Sequence, residues 1–445
     1  MTITKTQRTF LKMLLTIGSP ILLQEVLHQG VNMLDTMMIG RSMDEYHVTA
    51  VGLAGQIFFL FILFTFGVLS ASSVFSGQYN GAGDIKSIRK IMGLAFSGSS
   101  FVAFLFFVPS FFFGEVVISI YTDNPYVIAM GASFLRIVCG SFFIVAILSS
   151  RNMAMRSMGQ TRIPLFCTAI AFFANMVFNY LAIFHFGFGI YGVAVGTVFS
   201  RVIELIFQEI LIRKYNLPIR AKFSEYFNFD FAFVKAFLKI GVFIIINEML
   251  WALGISSYQI AYGIVGVEAQ GAIQMSLAIA NIFQIFSNAI AITTGVIITN
   301  TIGNKKIKLS KIYSQYCIIF TIVTTILMGG ILILFSSLIA SFYNVGYYIT
   351  ADIQRILVIA GATMLLRGMN FTIIVGILRS GSDAPFCFKV EMATVYLIGL
   401  PIAFGSAFLG MPIWLIYALI HLEELIKLVI VLFRYRSGKW AREVI

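Results

Sequence analysis

Apolar residues fill this chain in long runs broken by short polar stretches, and twelve of those runs are long enough to cross a membrane as helices. A hydrocarbon core of about 30 Å takes about 20 mostly apolar residues at helical rise. The runs lie near 12–39, 49–76, 91–119, 126–155, 162–186, 189–213, 234–263, 268–302, 312–340, 350–379, 385–408 and 411–435. Hydrophobic residues make up 59% of the sequence and charged residues 11%, with a mean hydropathy of +0.93. A soluble core cannot hide that much apolar surface, so the pattern predicts an all-α integral membrane protein with twelve transmembrane helices.

Charge orients the helices. Lys and Arg crowd the amino end (Lys5, Arg8, Lys12), every second loop (Lys86, Arg89 and Lys90 in one, Lys305, Lys306 and Lys308 in another) and the tail (Arg434, Arg436, Lys439, Arg442). The intervening loops carry Asp44, Glu45, Asp123, Glu268 and Asp352. The positive-inside rule then puts both termini of a multi-pass cell-membrane protein in the cytoplasm. It also accounts for the net charge of +12, so no nucleic-acid partner is expected. The opening MTITKTQRTFLK lacks a signal-cleavage pattern, so the first helix should stay in place. Cys139, Cys167, Cys317 and Cys387 stand singly, as small apolar fillers rather than metal ligands or disulfides.

The two halves echo each other. IGSPILLQEVLHQGVNMLDTMMIG from Ile17 lies over IGVFIIINEMLWALGISSYQIAYG from Ile240 without a gap, matching Gly18 with Gly241, Glu25 with Glu248 and Gly40 with Gly263. RSMGQTRIP at 156–164 echoes RSGSDAP at 379–385. Six helices separate equivalent positions, and an even number preserves direction, so the repeat is parallel. It predicts an amino-terminal six-helix lobe over 1–212, a basic, Pro-containing cytoplasmic linker over 213–233 and a carboxy-terminal six-helix lobe over 234–445, the bundles flanking a central cavity. That is a transporter architecture.

Segments spread in order along nearly the whole chain resemble the multidrug and toxic compound extrusion (MATE) family. VNMLDTMMIG (31–40) is similar to its first-helix signature, GQYNGAGD (77–84) and TNTIGNKK (299–306) to the segments closing helices 2 and 8. RSMGQTRIP and RSGSDAP resemble its paired loops after helices 4 and 10, and NMVFNYLAIFHFGFGIYGVAVGT (175–197) its helix 5–6 region. The resemblance implies export of amphipathic or cationic drugs and toxic organic compounds in exchange for protons or sodium ions. A monomer in the lipid bilayer, without cofactors, is expected. The alternative is a lipid-linked oligosaccharide flippase of the same superfamily, whose diphosphate headgroup needs a strongly charged cavity; interior basic residues here are few (Arg136, Arg201, Arg355, Arg367). An enzyme is not expected, because there is no H-E-x-x-H and the adjacent Glu423 and Glu424 should splay apart on their helix. No filter loop or charged ring suggests a channel.

The local chemistry centres on Asp35, a lone carboxylate about 8 Å below the outer end of helix 1. Asn179 on helix 5 and Thr197 on helix 6 lie about 12 Å below the same face, and Asn175 stacks one turn deeper than Asn179. An ionised carboxylate there is costly unless paired. Asn and Thr cannot neutralise it, but they offer oxygens to sodium or hydrogen bonds to either protonation state. Asp35, Asn175, Asn179 and Thr197 therefore form the candidate amino-lobe cation site, with sodium at Asp35 the only metal considered. Glu248 matches an acid that the NorM-like branch of the family carries in helix 7, which implies a second cation-coupling residue; that branch's helix 10 acid has no counterpart here.

Other features carry two readings each. Glu25 and His28 make either a proton relay or a hydrogen-bonded seam. Pro20 makes either a hinge or a static kink in helix 1. Met33, Met37, Trp251 and Tyr258 are candidates for the substrate-cavity surface. Gly192 and Gly196 predict close helix packing, and Arg201 with Glu204, like Glu423 with Lys427, has the spacing of a local ion pair.

Overall fold

The computed structural model describes residues 5–343 and 345–445, with all of their side chains except those of Asn32, Thr36, Met37, Arg41, Glu45, Phe223 and Val267. Twelve long helical rods account for most of it: α1 (Lys5–Ser42), α2 (Glu45–Ala82), α3 (Ile85–Phe112), α4 (Pro125–Ser157), α5 (Arg162–His185), α6 (Gly189–Lys214), α7 (Phe231–Val265), α8 (Val267–Gly303), α9 (Ile307–Leu334), α10 (Tyr347–Gly381), α11 (Ala384–Phe408) and α12, in two pieces (Ile413–Ile420 and Leu422–Arg436). Among the described residues there is no strand, and eleven helices are long and apolar enough to span a membrane. The twelfth predicted span, α12, falls outside that count because it breaks at His421 and brings Glu423, Glu424 and Lys427 within one turn.

Local chemistry sets the helix starts. Asp44 accepts the His47 N–H at 3.2 Å ahead of α2, and Asp84 accepts the Ser87 N–H at 3.0 Å ahead of α3, satisfying amides that have no partner in a first turn. Asn124 accepts two N–H groups ahead of α4, whose first residue, Pro125, has none to lose. Three helices widen into π turns, at Leu181–His185 in α5, Thr372–Leu378 in α10 and Val395–Gly399 in α11. Such turns break the regular ladder and are frequent at functional sites. Each of these adjoins a buried polar group described below.

The chain divides into two compact units, one of Ser19–Leu238 and one of Met1–Gly18 with Lys239–Ile445. In the amino unit, Ile88 and Met92 of α3, Met155 of α4 and Ile212 of α6 share one buried cluster with Ile219 of the following segment. That segment is tied down: Arg89 donates to the Pro218 and Arg220 carbonyls at 2.9 and 2.8 Å and pairs with Glu225 at 2.7 Å. In the carboxy unit, Phe10 and Leu14 from the start of α1 join Ile297, Ile298 and Tyr313 in one core, and Gly18 lies against Thr293. The division thus falls inside α1, two residues before Pro20, through which the helix continues.

Candidate ion-coupling site

Three of the four residues expected at the amino-lobe cation site meet. The Asn179 side-chain amide donates to Asp35 Oδ1 at 2.6 Å and to Asn175 Oδ1 at 3.2 Å. Both asparagines are buried, and Asn179 Oδ1 and Asn175 Nδ2 have no partner, so the cluster retains one unused acceptor and one unused donor. Among the described residues no cationic side chain forms an ion pair with Asp35. Thr197 does not join this set; its hydroxyl donates to the Val193 carbonyl of its own helix at 3.0 Å. What α6 brings instead is Gly196, packed so closely on Asn179 Oδ1 that a Cβ there would collide with it, while Gly192 packs on Ala182. The G-x-x-x-G spacing is therefore close packing, as expected, and it also holds the amide against Asp35.

Glu248 meets different surroundings. It is 7% exposed and pairs with Arg379, itself 2% exposed, which also bonds Glu391 at 2.9 Å. Asn247 donates to Glu391 at 2.7 Å. Glu248 thus already holds a protein cation, which comes from the end of α10, the helix that lacks the acid. Glu25 is likewise occupied: Arg156 reaches Glu25 at 3.3 Å and Gln24 at 2.6 Å, and among the described residues no hydrogen bond links Glu25 to His28. Of the cavity candidates, Met33 is 58% exposed, Trp251 packs on the carboxy core, and Tyr258 is buried with its hydroxyl donating to Glu423. Met37 lies outside the described side chains.

The expected pairs Arg201–Glu204 and Glu423–Lys427 form, at 2.8 and 2.6 Å. The expectation that Glu424 diverges from Glu423 is corrected. Lys427 lies three residues past one and four past the other, on the side of the helix both share, and bonds Glu424 at 3.2 Å as well.

These contacts obey the repeat. The offset of 223 residues that matches Glu25 with Glu248 also matches Gln24 with Asn247, Arg156 with Arg379, Thr168 with Glu391, Arg201 with Glu424 and Glu204 with Lys427. Gln24 donates to Thr168 at 3.0 Å as Asn247 does to Glu391, and each arginine pairs with its own acid. Arg201–Glu204 and Glu424–Lys427 are one pair with its charges exchanged. At the place of Asp35 the carboxy half has Tyr258.

Comparison with known proteins agrees with this duplicated plan. The MatE family model matches residues 20–181 and 244–404, once in each half. The transporter YisQ of Bacillus subtilis is 24% identical over 95% of this chain and 94% of its own. The probable multidrug resistance protein NorM of Listeria innocua is 25% identical, covering 89% of this chain and 88% of that protein. Among solved structures, the Vibrio cholerae MATE transporter VcmN superposes with a TM-score of 0.88 at 15% identity, over 99% of each chain.

Proposed function

The chain belongs to the MATE family, and from that premise we propose that it is a secondary antiporter that exports amphipathic or cationic organic compounds in exchange for protons or sodium ions, with Asp35 as the coupling residue. The carrying observation is the isolation of that carboxylate: a neutral amide at 2.6 Å is its hydrogen-bond partner, and no protein cation balances it among the described residues. Inside a membrane such a group must take a proton or a metal cation, or stand ionised at high cost. Burial favours the protonated carboxyl and a bound sodium favours the carboxylate, so the two occupants compete for the same oxygens. Asn179 serves both, as a donor to the carboxylate and, with Asn175, as a source of carbonyl oxygen.

Occupancy drives transport only if Asp35 holds its cation more tightly in one conformation than in the other. Loading then favours drug release and emptying favours drug capture. The sequence charges put both termini on the cytoplasmic side, which leaves Asp35 nearer the outer face. The basic residues support antiport over lipid flipping, because Arg156, Arg201, Arg379 and Lys427 each already hold an acid, which leaves Arg367 as the interior basic side chain without an ion pair among the described residues.

The test is efflux of a fluorescent organic cation from proteoliposomes under separately imposed pH and sodium gradients. Wild type should respond to one of them, naming the ion, and Asp35→Asn should respond to neither while still binding the dye. Gradient-driven efflux at the wild-type rate in that variant would remove Asp35 from the mechanism.

A further inference from the structure

The carboxy unit contains a second buried acidic centre that the transport cycle above does not use. Glu423 and Glu424 on α12 flank Lys427, at 2.6 and 3.2 Å from its ammonium, and Glu423 and Lys427 are 3% and 2% exposed. Tyr258 of α7 donates to Glu423, and Asn370 of α10 donates to a Glu424 carboxylate oxygen at 2.6 Å and to the Glu424 carbonyl at 2.8 Å. Asn370 Oδ1 is buried without a partner, a spare oxygen at the edge of the same cluster. Arg367 of α10 stands near enough for its charge to act on Glu424 but makes no ion pair with either acid among the described residues, so Lys427 is the cation in contact with both. The chain makes room for this centre. The Tyr258 hydroxyl and the Glu423 carboxylate both lie where a Cβ on Gly399 would be, in the π turn of α11.

The repeat shows what the centre replaces. The residue at the place of Asp35 is Tyr258, and the acid it faces comes from α12 instead of from its own helix. The residue that puts a cation beside that acid, Lys427, stands where the amino half has Glu204. In chemical terms the centre is a set of oxygens from two carboxylates, a phenol and an amide, with a primary ammonium in the middle. That donor set would suit a small monovalent cation if the ammonium were absent.

We propose that Lys427 is a tethered cation that permanently fills a latent site for a small monovalent cation, a primary ammonium or sodium, in the carboxy unit. Because the lysine cannot leave, this unit exchanges nothing with the bulk phase. Given the Asp35 reading, on which this consequence rests, the cycle then has one exchanging site and not two.

The test measures the thermal unfolding midpoint of the purified full-length protein in detergent, with increasing propylammonium or sodium and with choline as a cation too large to enter. Lys427→Ala removes three methylenes and the ammonium, the outline of propylammonium. It should unfold at a lower temperature than wild type and regain about 5–10 °C when the small cation saturates it, with no gain from choline and none in an Asp35→Asn variant that keeps Lys427. The same rescue should persist in an Asp35→Asn, Lys427→Ala double variant, which separates this site from the coupling site. A folded Lys427→Ala that gains nothing from either cation would overturn the proposal. Should Lys427→Ala not fold in any salt, the Glu423→Gln, Lys427→Met double variant decides. Unaltered gradient dependence of efflux supports a non-exchanging centre, and loss of it with Asp35 intact shows that the centre takes part in exchange.

Discussion

Asp35 and Glu423 are both carboxylates in apolar helices, one in each half, and they differ in what stands opposite them. Asp35 faces an asparagine amide; Glu423 faces a lysine ammonium and a tyrosine hydroxyl. The first arrangement has no protein cation in contact with the acid, and the second sets one tethered ammonium between Glu423 and Glu424. On the two proposals above, a duplicated fold holds one centre whose occupant exchanges and one whose occupant is part of the chain, and the difference lies in a few substitutions on a shared frame. Buried ion pairs often contribute little net stability over apolar packing, but removing one partner is costly, so a tethered cation is hard to lose once present.

The comparison breaks most visibly in transport. Asp35→Asn should reduce gradient-driven efflux to background, whereas Glu248→Gln should keep it, because Glu248 has a protein cation in contact, the Arg379 guanidinium it shares with Glu391. Equal loss in both variants, measured in the same vesicles, would mean that both halves couple.

Stability comes next. Arg379→Met leaves Glu248 and Glu391 buried without their cation and should cost about 3–5 kcal/mol. The equivalent Arg156→Met frees a partly exposed Glu25 and should cost about 1 kcal/mol. Chemical denaturation of the two variants reads the difference directly; similar costs would show that the arginines are equally essential despite their unequal burial.

The helices, their number and the repeat were legible in the sequence because apolar run length and self-similarity are local properties. Ion pairs within one helix were legible for the same reason, since spacing alone brings Arg201 to Glu204 and Lys427 to Glu423. Contacts between helices were not. Whether Glu248 meets an arginine depends on how α7, α10 and α11 are rotated against one another, and no periodicity records that. The repeat carries one more signal: the offset that matches Arg156 with Arg379 in the paired loops, carried onward, lands on Glu204 and Lys427. Tyr258, a candidate for the cavity surface, has a hydroxyl that needs a buried partner, and the one it meets, Glu423, comes from another helix.

Two glycines give a smaller test. Gly196→Ala pushes on Asn179 Oδ1 and should raise the ion concentration needed for half-maximal efflux, with a stability cost of about 1–3 kcal/mol. Gly399→Ala pushes on Tyr258 and Glu423, so it should cost similar stability and leave the ion dependence unchanged. A shift in ion dependence from Gly399→Ala would tie the carboxy centre to coupling.

The smallest expected effect lies at the hairpins between α2 and α3 and between α8 and α9, where the halves also differ. Asp84 caps α3 through the Ser87 N–H and hydroxyl, whereas the residue at the start of α9, Lys306, makes no side-chain cap. Burial alone would raise the Asp84 carboxyl, but its bonds to Ser87 and the Lys86 amide prevail and hold it below the ordinary carboxylate range. A depressed carboxyl contributes stability that is fully present above its unfolded value, about pH 4, and fades as pH falls through the folded one. Asp84→Ala should therefore cost about 1 kcal/mol at neutral pH and nothing once the carboxyl is protonated. Lys306→Asp should do the reverse for α9, adding about 0.5–1 kcal/mol at neutral pH that disappears in acid, because it supplies the missing acceptor to first-turn amides. Unfolding midpoints at pH 7 and pH 3 compare the two hairpins, and a pH-independent effect of either substitution would mean that the carboxylate acts there by packing and not as a cap.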